Sequence, residues 1–433
     1  MRTAKFYFTA LTACTLLANL AIAQNVRQPN SVQKTGFNYY VQDEEQASPS
    51  DNPVIPASAD GCDDGCDDGC ESDCGCDEGC DSGCDNGCSC YAFGPAEACT
   101  LLSADPCRPW NAGGWVQLGY HTEGTGGNGT GLFNNYPNRL QMQQAYGWVE
   151  KAANTGGCGW DWGMRMDYVF GTDGPDTQAF GGPANSWDNT WDHGAAYGSA
   201  IPQLYGTVAY NDLSVKMGHF YTIIGYEVVT APDNFFYSHA RTMVTNEPFT
   251  HTGVLAEYAA SDNVTVWGGW TQGWDTGFTN NDGSSFLGGV SLQLTDRAAL
   301  TYAVITGDFG NGPGGSDDDA YMHSIVMTYQ VSCDLEYVLQ HDYHRNNAVM
   351  PNLGETYGIN QYLLYTINDC WKAGLRGEWL DQDGSEYVGV TAGLNYKPHA
   401  NVTLRPEVRW DDYDAASGFS DSTVFGIDAI FTF

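Results

Sequence analysis

Residues 160–170 read WDWGMRMDYVF. Trp160, Trp162, Met164, Met166, Tyr168 and Phe170 take every second position, with Asp161, Gly163, Arg165 and Asp167 among those between. Successive side chains of an extended chain point to opposite faces, so this segment has one apolar face and one polar face. The first suits lipid and the second water. The same register returns near the C-terminus, where Thr403, Arg405, Glu407 and Arg409 alternate with Val402, Leu404, Val408 and Trp410. Pro406 interrupts its apolar side. Proline lacks the N–H a ladder requires, so a bulge or strand break is expected there.

Outward from these two stretches, sixteen segments carry the pattern: 114–121, 142–153, 159–170, 202–210, 213–220, 250–260, 263–274, 284–294, 297–307, 320–331, 334–343, 355–367, 370–380, 385–397, 401–413 and 421–433. Short connections such as Asn211-Asp212, Thr295-Asp296 and Asn368-Asp369 alternate with longer Gly/Asn/Asp loops. That asymmetry predicts an all-β fold: a transmembrane antiparallel up-and-down β-barrel of about sixteen strands, with short periplasmic turns and long external loops. A soluble sandwich also alternates. Trp and Tyr near strand ends favour the barrel, and Trp115, Tyr120, Tyr146, Trp148, Trp267, Trp270, Trp371 and Trp379 are read as interfacial girdles. The closing Phe431-Thr432-Phe433 resembles the terminal aromatic signal of outer-membrane barrels, so Phe433 is expected to engage the barrel-assembly machinery. An even strand count places both barrel ends in the periplasm. No segment after the leader approaches the roughly 18 apolar residues of a membrane helix.

Three regions precede the barrel, which is expected over 110–433. Residues 1–23 read as a secretory signal: Arg2 and Lys5, an apolar run, then Ala21-Ile22-Ala23. A lipobox at Leu11-Thr12-Ala13-Cys14 is the weaker alternative, because the apolar run continues past it. Residues 24–61 are polar and aperiodic, and read as a disordered linker. Residues 62–109 form a disordered, Cys/Asp-rich, low-complexity segment, expected in the periplasm. Its core is two fourteen-residue units, CDDGCDDGCESDCG and CDEGCDSGCDNGCS. Frequent Gly and Asp make a helix poor there. Disulfides, a thiolate and carboxylate metal site, and an inert acidic spacer all remain open for it. Cys158, Cys333 and Cys370, each at a short turn, are candidates for disulfides to this tract or between chains.

The chain has 53 acidic and 17 basic residues, formally −36. Nucleic acid is excluded as a partner, since phosphate binding calls for clustered Lys and Arg. The longest internal connection, 221–249, is strongly apolar for an external loop: Ile223, Ile224, Val228, Val229, Phe235, Phe236 and Tyr237 would be costly in water. Folding it into the lumen would bury them. Glu227, Asp233, His239, Arg241 and Glu247 would then line a constriction; packing outside on its neighbours or on a partner subunit is the alternative.

This stretch carries Gly218-His219-Phe220-Tyr221, Gly225-Tyr226-Glu227, Pro232, Asn234-Phe235-Phe236-Tyr237-Ser238 and Pro248-Phe249-Thr250-His251-Thr252-Gly253. In these residues the chain resembles the OmpL-like β-barrel porin family, from about residue 110 to Phe433. The resemblance implies an outer-membrane porin without enzymatic activity, and it brings no functional residues with it. The Cys/Asp tract departs from the family pattern.

Strand parity places Arg165, Asp167, Lys216, Glu257, Lys372, Arg376, Glu378, Arg405, Glu407 and Arg409 on the lumen side. They either set ion preference or pair off and hold the wall. No catalytic site is expected: Ser238-His239 is the nearest candidate, and adjacent strand residues face opposite ways. No metal site and no cofactor are expected in the barrel. The expected activity is passive diffusion of small polar solutes or cations through a water-filled, cation-preferring channel. Outer-membrane lipid is the expected surroundings, and a homo-oligomer is left open. The rival is a structural or adhesive surface protein cross-linked through its Cys-rich segment.

Overall fold

The computed structural model describes residues 109–122, 133–179, 187–278, 282–310, 319–346, 354–414 and 421–433. The expected signal, linker and Cys/Asp tract lie outside the described residues. In chain order the strands are β1 (Asn111–His121), β2 (Gln141–Lys151), β3 (Trp160–Gly171), β4 (Asp192–His193), β5 (Tyr197–Tyr210), β6 (Leu213–Tyr221), β7 (Thr250–Ser261), β8 (Val264–Thr271) and β9 (Ser284–Thr295). They continue as β10 (Ala298–Asp308), β11 (Ala320–Gln330), β12 (Leu335–Arg345), β13 (Glu355–Asn368), β14 (Trp371–Gln382), β15 (Ser385–His399), β16 (Val402–Tyr413) and β17 (Ser422–Thr432). Two short helices, α1 (Gly174–Thr177) and α2 (Arg241–Asn246), and a 3-10 turn at Ala231–Asp233 lie in connections.

Each wall strand is antiparallel to the next, and β1 pairs with β17 as well as β2, with Trp115 opposite Thr432 and Tyr120 opposite Ile427. The sheet is therefore closed and presents no unpaired edge to hydrocarbon. β4 pairs only with β5, inside a connection, while β3 and β5 pair directly, so sixteen strands make the wall. All sixteen expected segments are present. The largest boundary difference is at β5, which begins at Tyr197 rather than 202. Pro202 sits inside that strand, where the register with β3 shifts between Asp167 and Val169.

Pro406 behaves differently from the expectation. β16 runs through it, and its ladder with β17 is regular, with Pro406 opposite Ile427. The interruption is confined to the β15 side, where pairing stops at Gly393 opposite Glu407 and resumes at Tyr396 opposite Leu404. The missing donor thus costs local pairing to one neighbour, not the strand.

On β3 the alternation is as read: Trp160 is 72 % and Trp162 44 % exposed, while Arg165 and Asp167 are buried. The girdle needs correcting. Trp270 faces outward, as do Tyr120, Trp371 and Trp379 by strand parity, and Trp371 stacks on Tyr396 at 4.3 Å. Trp115, Tyr146, Trp148 and Trp267 instead share the inward face. Trp115 stacks on Tyr146 at 3.9 Å, Trp148 packs on the Arg165 guanidinium at 5.0 Å, and the Trp267 indole donates to Glu257 at 2.7 Å. Nearness to a strand end says nothing about face. Parity does.

Candidate functional site

β6 ends on Phe220 and Tyr221, and the chain does not return to β7 over the outside. Residues 222–249 enter the lumen and are stapled to strands far along the sequence. Backbone groups removed from water need partners, and here the wall supplies them. Arg405 on β16 donates to the carbonyls of Ala231 at 2.8 Å and Asn234 at 2.6 Å. Arg409 donates to the His239 carbonyl at 2.6 Å, and Arg376 on β14 to the Ser238 carbonyl at 2.7 Å. Two carboxylates accept in the other direction: Glu407 takes the Tyr237 and Ser238 N–H groups at 2.9 and 3.1 Å, and Glu378 takes that of Arg241 at 2.6 Å. Gln144 on β2 holds Val229 and Ala231, and Asn360 on β13 donates to the Thr242 hydroxyl.

The apolar side chains of the loop reach round the barrel. Ile223 and Ile224 pack with Phe220, Leu255, Trp267, Leu287, Ile305 and Met322 on the inner face of β6–β11. Phe236 packs with Val326, Val338 and Tyr362, and Ala231 with Trp115, Tyr146, Val169 and Ile430. Each of the sixteen wall strands carries at least one inward side chain no more than 4 % exposed. The clusters and hydrogen bonds seat the loop against β1–β3, β5–β14, β16 and β17. The short-turn half is wetter, with Glu257 and Lys372 exposed.

The five loop residues separate into two groups. Glu227, His239 and Glu247 are buried within the loop's contacts, whereas Asp233 is exposed and Arg241 half-buried. Glu227 accepts from Arg376 at 2.7 Å and from the Tyr362 hydroxyl at 3.1 Å. Burial alone would raise its pKa, but Arg376 and then His239 bring it below the ordinary glutamate range. Burial lowers the His239 imidazole to about 4, although Glu227 opposes this. Burial, and then Asp342, push the Glu247 carboxyl well above its ordinary value.

Of the ten wall charges, seven are buried in pairs or loop contacts: Arg165 with Asp167 at 2.7 Å, Arg376 with Glu378 at 2.8 Å, Arg405 with Asp428 at 2.5 Å, Arg409 with Asp411 at 2.7 Å, and Glu407 on the loop backbone. Lys216 lies over the Tyr205 ring at 4.6 Å. Reading by charge missed the neutral anchors Gln144, Gln340 and Asn360; their signal is inward parity in otherwise apolar strands. It also missed a ring of exposed carboxylates at one mouth, Asp212, Asp262, Asp296, Asp334 and Asp369, one at each of five short turns. Cys158 and Cys333 are exposed and Cys370 half-buried at the same mouth.

The model of the beta-barrel porin-2, OmpL-like family matches residues 109–433. The chain belongs to that family. No curated protein matches the sequence of this porin. Among solved structures, the porin superposes on the outer membrane channel DcaP of Acinetobacter baumannii with a TM-score of 0.50 at 12 % identity, covering 75 % of this chain and 97 % of that one. A mutant of the Rhodopseudomonas blastica porin gives 0.50 at 15 % identity, covering 75 % and 100 %. These likenesses are of fold: an outer-membrane barrel, here with the internal loop of 222–249.

Proposed function

We propose that this porin is a passive channel for small polar solutes, cation-preferring, whose conductance is set by how tightly residues 222–249 are docked. The carrying observation is the division of the barrel into an apolar outer face and an ionic inner face crossed by a loop. Most of these inner charges hold wall and loop together, and the exposed Glu257 and Lys372 in the short-turn half are those that support a hydrated passage. Cation preference is supported by the five carboxylates at the short-turn mouth, where acidic rings concentrate counter-ions. Arg297 beside Asp296, and Lys372 inside, oppose them locally. With sixteen strands, the short-turn mouth and both barrel ends belong on the periplasmic side.

Reconstitution into planar bilayers tests this reading. Discrete conductance steps with a reversal potential on the cation side in a salt gradient are expected. A folded barrel that gives no steps, with or without its loop, would favour the structural role.

A further inference from the structure

The loop has a second anchor, away from the arginine strip, where Asn246 and Glu247 meet β11–β13. The Gln340 side-chain nitrogen donates to Glu247 Oε1 at 2.6 Å and to Asp342 Oδ2 at 2.7 Å, so two carboxylates crowd one amide. Ser324 stands opposite Asp342 in the β11 ladder and adds a hydroxyl to the same face. Glu247, Gln340, Asp342, Asn246 and Asn360 are all at most 4 % exposed. Two paired acids in such a place need a positive charge or a proton. The nearby Gly225, at φ +92°, leaves the space that the Glu247 carboxylate occupies.

An independent observation is the set of oxygens left over. Asp342 Oδ1, Asn246 Oδ1 and Asn360 Oδ1 accept no hydrogen bond, although all three residues are essentially inaccessible; the Ser324 hydroxyl and the Asn246 amide nitrogen beside them are also unpartnered, and even the hydroxyl turned to Asp342 leaves the two amide oxygens over. Asn246 lies over the wall at this point: its amide nitrogen is 3.5 Å from where a Cβ on Gly358 would be, and Gly358 is the β13 partner of Asp342. A shared proton would satisfy one oxygen and leave the rest. Buried acceptors in this number call for a ligand that takes several oxygens at once.

We propose that Glu247, Asp342, Asn246 and Asn360, with Ser324 at the edge, bind a hard divalent cation of the Ca²⁺ type that fastens the end of the loop to the barrel wall. Calcium takes six to eight oxygen ligands in flexible geometry, from carboxylates, amide carbonyls and water, and this set contains only such donors. The absence of thiolate or imidazole from it disfavours zinc and copper. Filling the site displaces whatever proton the two carboxyls share. It also joins loop to wall through the metal.

The test uses the full chain in detergent, stripped with chelator and titrated with CaCl₂ alone, beside Asp342→Asn and Glu247→Gln. Any Ca²⁺ taken up by the acidic Cys/Asp tract is common to all three proteins, so the reading is the difference. Each variant should bind one Ca²⁺ fewer per chain, and Ca²⁺ should raise the unfolding temperature of the native barrel but not of the variants. Equal stoichiometry and a Ca²⁺-independent unfolding temperature would overturn the proposal and leave a buried water or a proton in the site. Should the variants fail to fold, anomalous diffraction from native crystals grown with Ca²⁺ decides: a peak among these oxygens supports the site, and its absence removes it.

Discussion

Glu227 and Arg376 are 149 positions apart in sequence and 2.7 Å apart in the barrel, both buried. The pair joins the loop to β14. Around it Arg376 also reaches the Ser238 carbonyl and hydroxyl and lies over the Phe236 ring at 5.0 Å. Removing one partner of such a pair leaves an uncompensated buried charge.

Arg376→Ala is therefore expected to undock the loop, at a cost of about 3–5 kcal/mol for a broken buried pair. Single-channel conductance should rise and become noisy, while the variant migrates as a folded barrel on unheated gels just as the native protein does, because its ladder is untouched. Glu227→Gln keeps the hydrogen-bonding shape and should do less.

Acidification should loosen the loop. His239 is held neutral, down to about 4 from its ordinary 6.5, so between these values the undocked state binds the extra proton and docking weakens as pH falls. Glu227 acts in the same direction: its lowered pKa gives stability that is present above the ordinary glutamate value of 4.5 and lost as pH falls through the folded one. Conductance recorded from pH 7 to pH 4 should climb below about pH 6.5. His239→Asn should move the onset towards the Glu227 range, and an onset unchanged in that variant would place the response elsewhere.

Deleting residues 226–244 removes the docked middle of the loop with its apolar contacts. The barrel should still fold, conduct more and admit larger sugars in liposome swelling. Unchanged conductance from the folded variant would show that the loop does not limit flow.

Asn in place of Asp212, Asp262, Asp296, Asp334 and Asp369 together should reduce cation preference, read as a reversal potential shifted towards zero. The effect should shrink at high salt, because these carboxylates are exposed and screened. No shift would assign selectivity to the lumen charges instead.

The wall was legible in the sequence because period-two alternation is a direct image of a pleated strand between lipid and water. Parity alone also put Arg165, Arg376, Arg405 and Arg409 on the right face. Aromatic density did not sort faces: Trp115 and Trp267 look like girdle residues until their indoles are seen donating to Gln144 and Glu257. The inward course of 222–249 could be argued from its apolar content, but its sockets could not. Which arginine meets which carbonyl depends on register and on barrel closure, and neither is written in a local pattern.

The internal loop also has a timetable. Its partners include Glu407, 170 positions beyond Tyr237, and Arg405, 174 beyond Ala231, while β1 must wait for β17 before the wall exists at all. Contacts of such sequence separation form late, since the loop-closure entropy precedes any return. During insertion the segment therefore travels as an apolar strand without a seat, while Phe235, Phe236 and Tyr237 have nothing to cover them. A chaperone for this porin before closure would find an apolar handle here besides the outward faces of the strands. Closure of the final hairpin withdraws that handle, which makes docking of 222–249 a natural signal that assembly is complete.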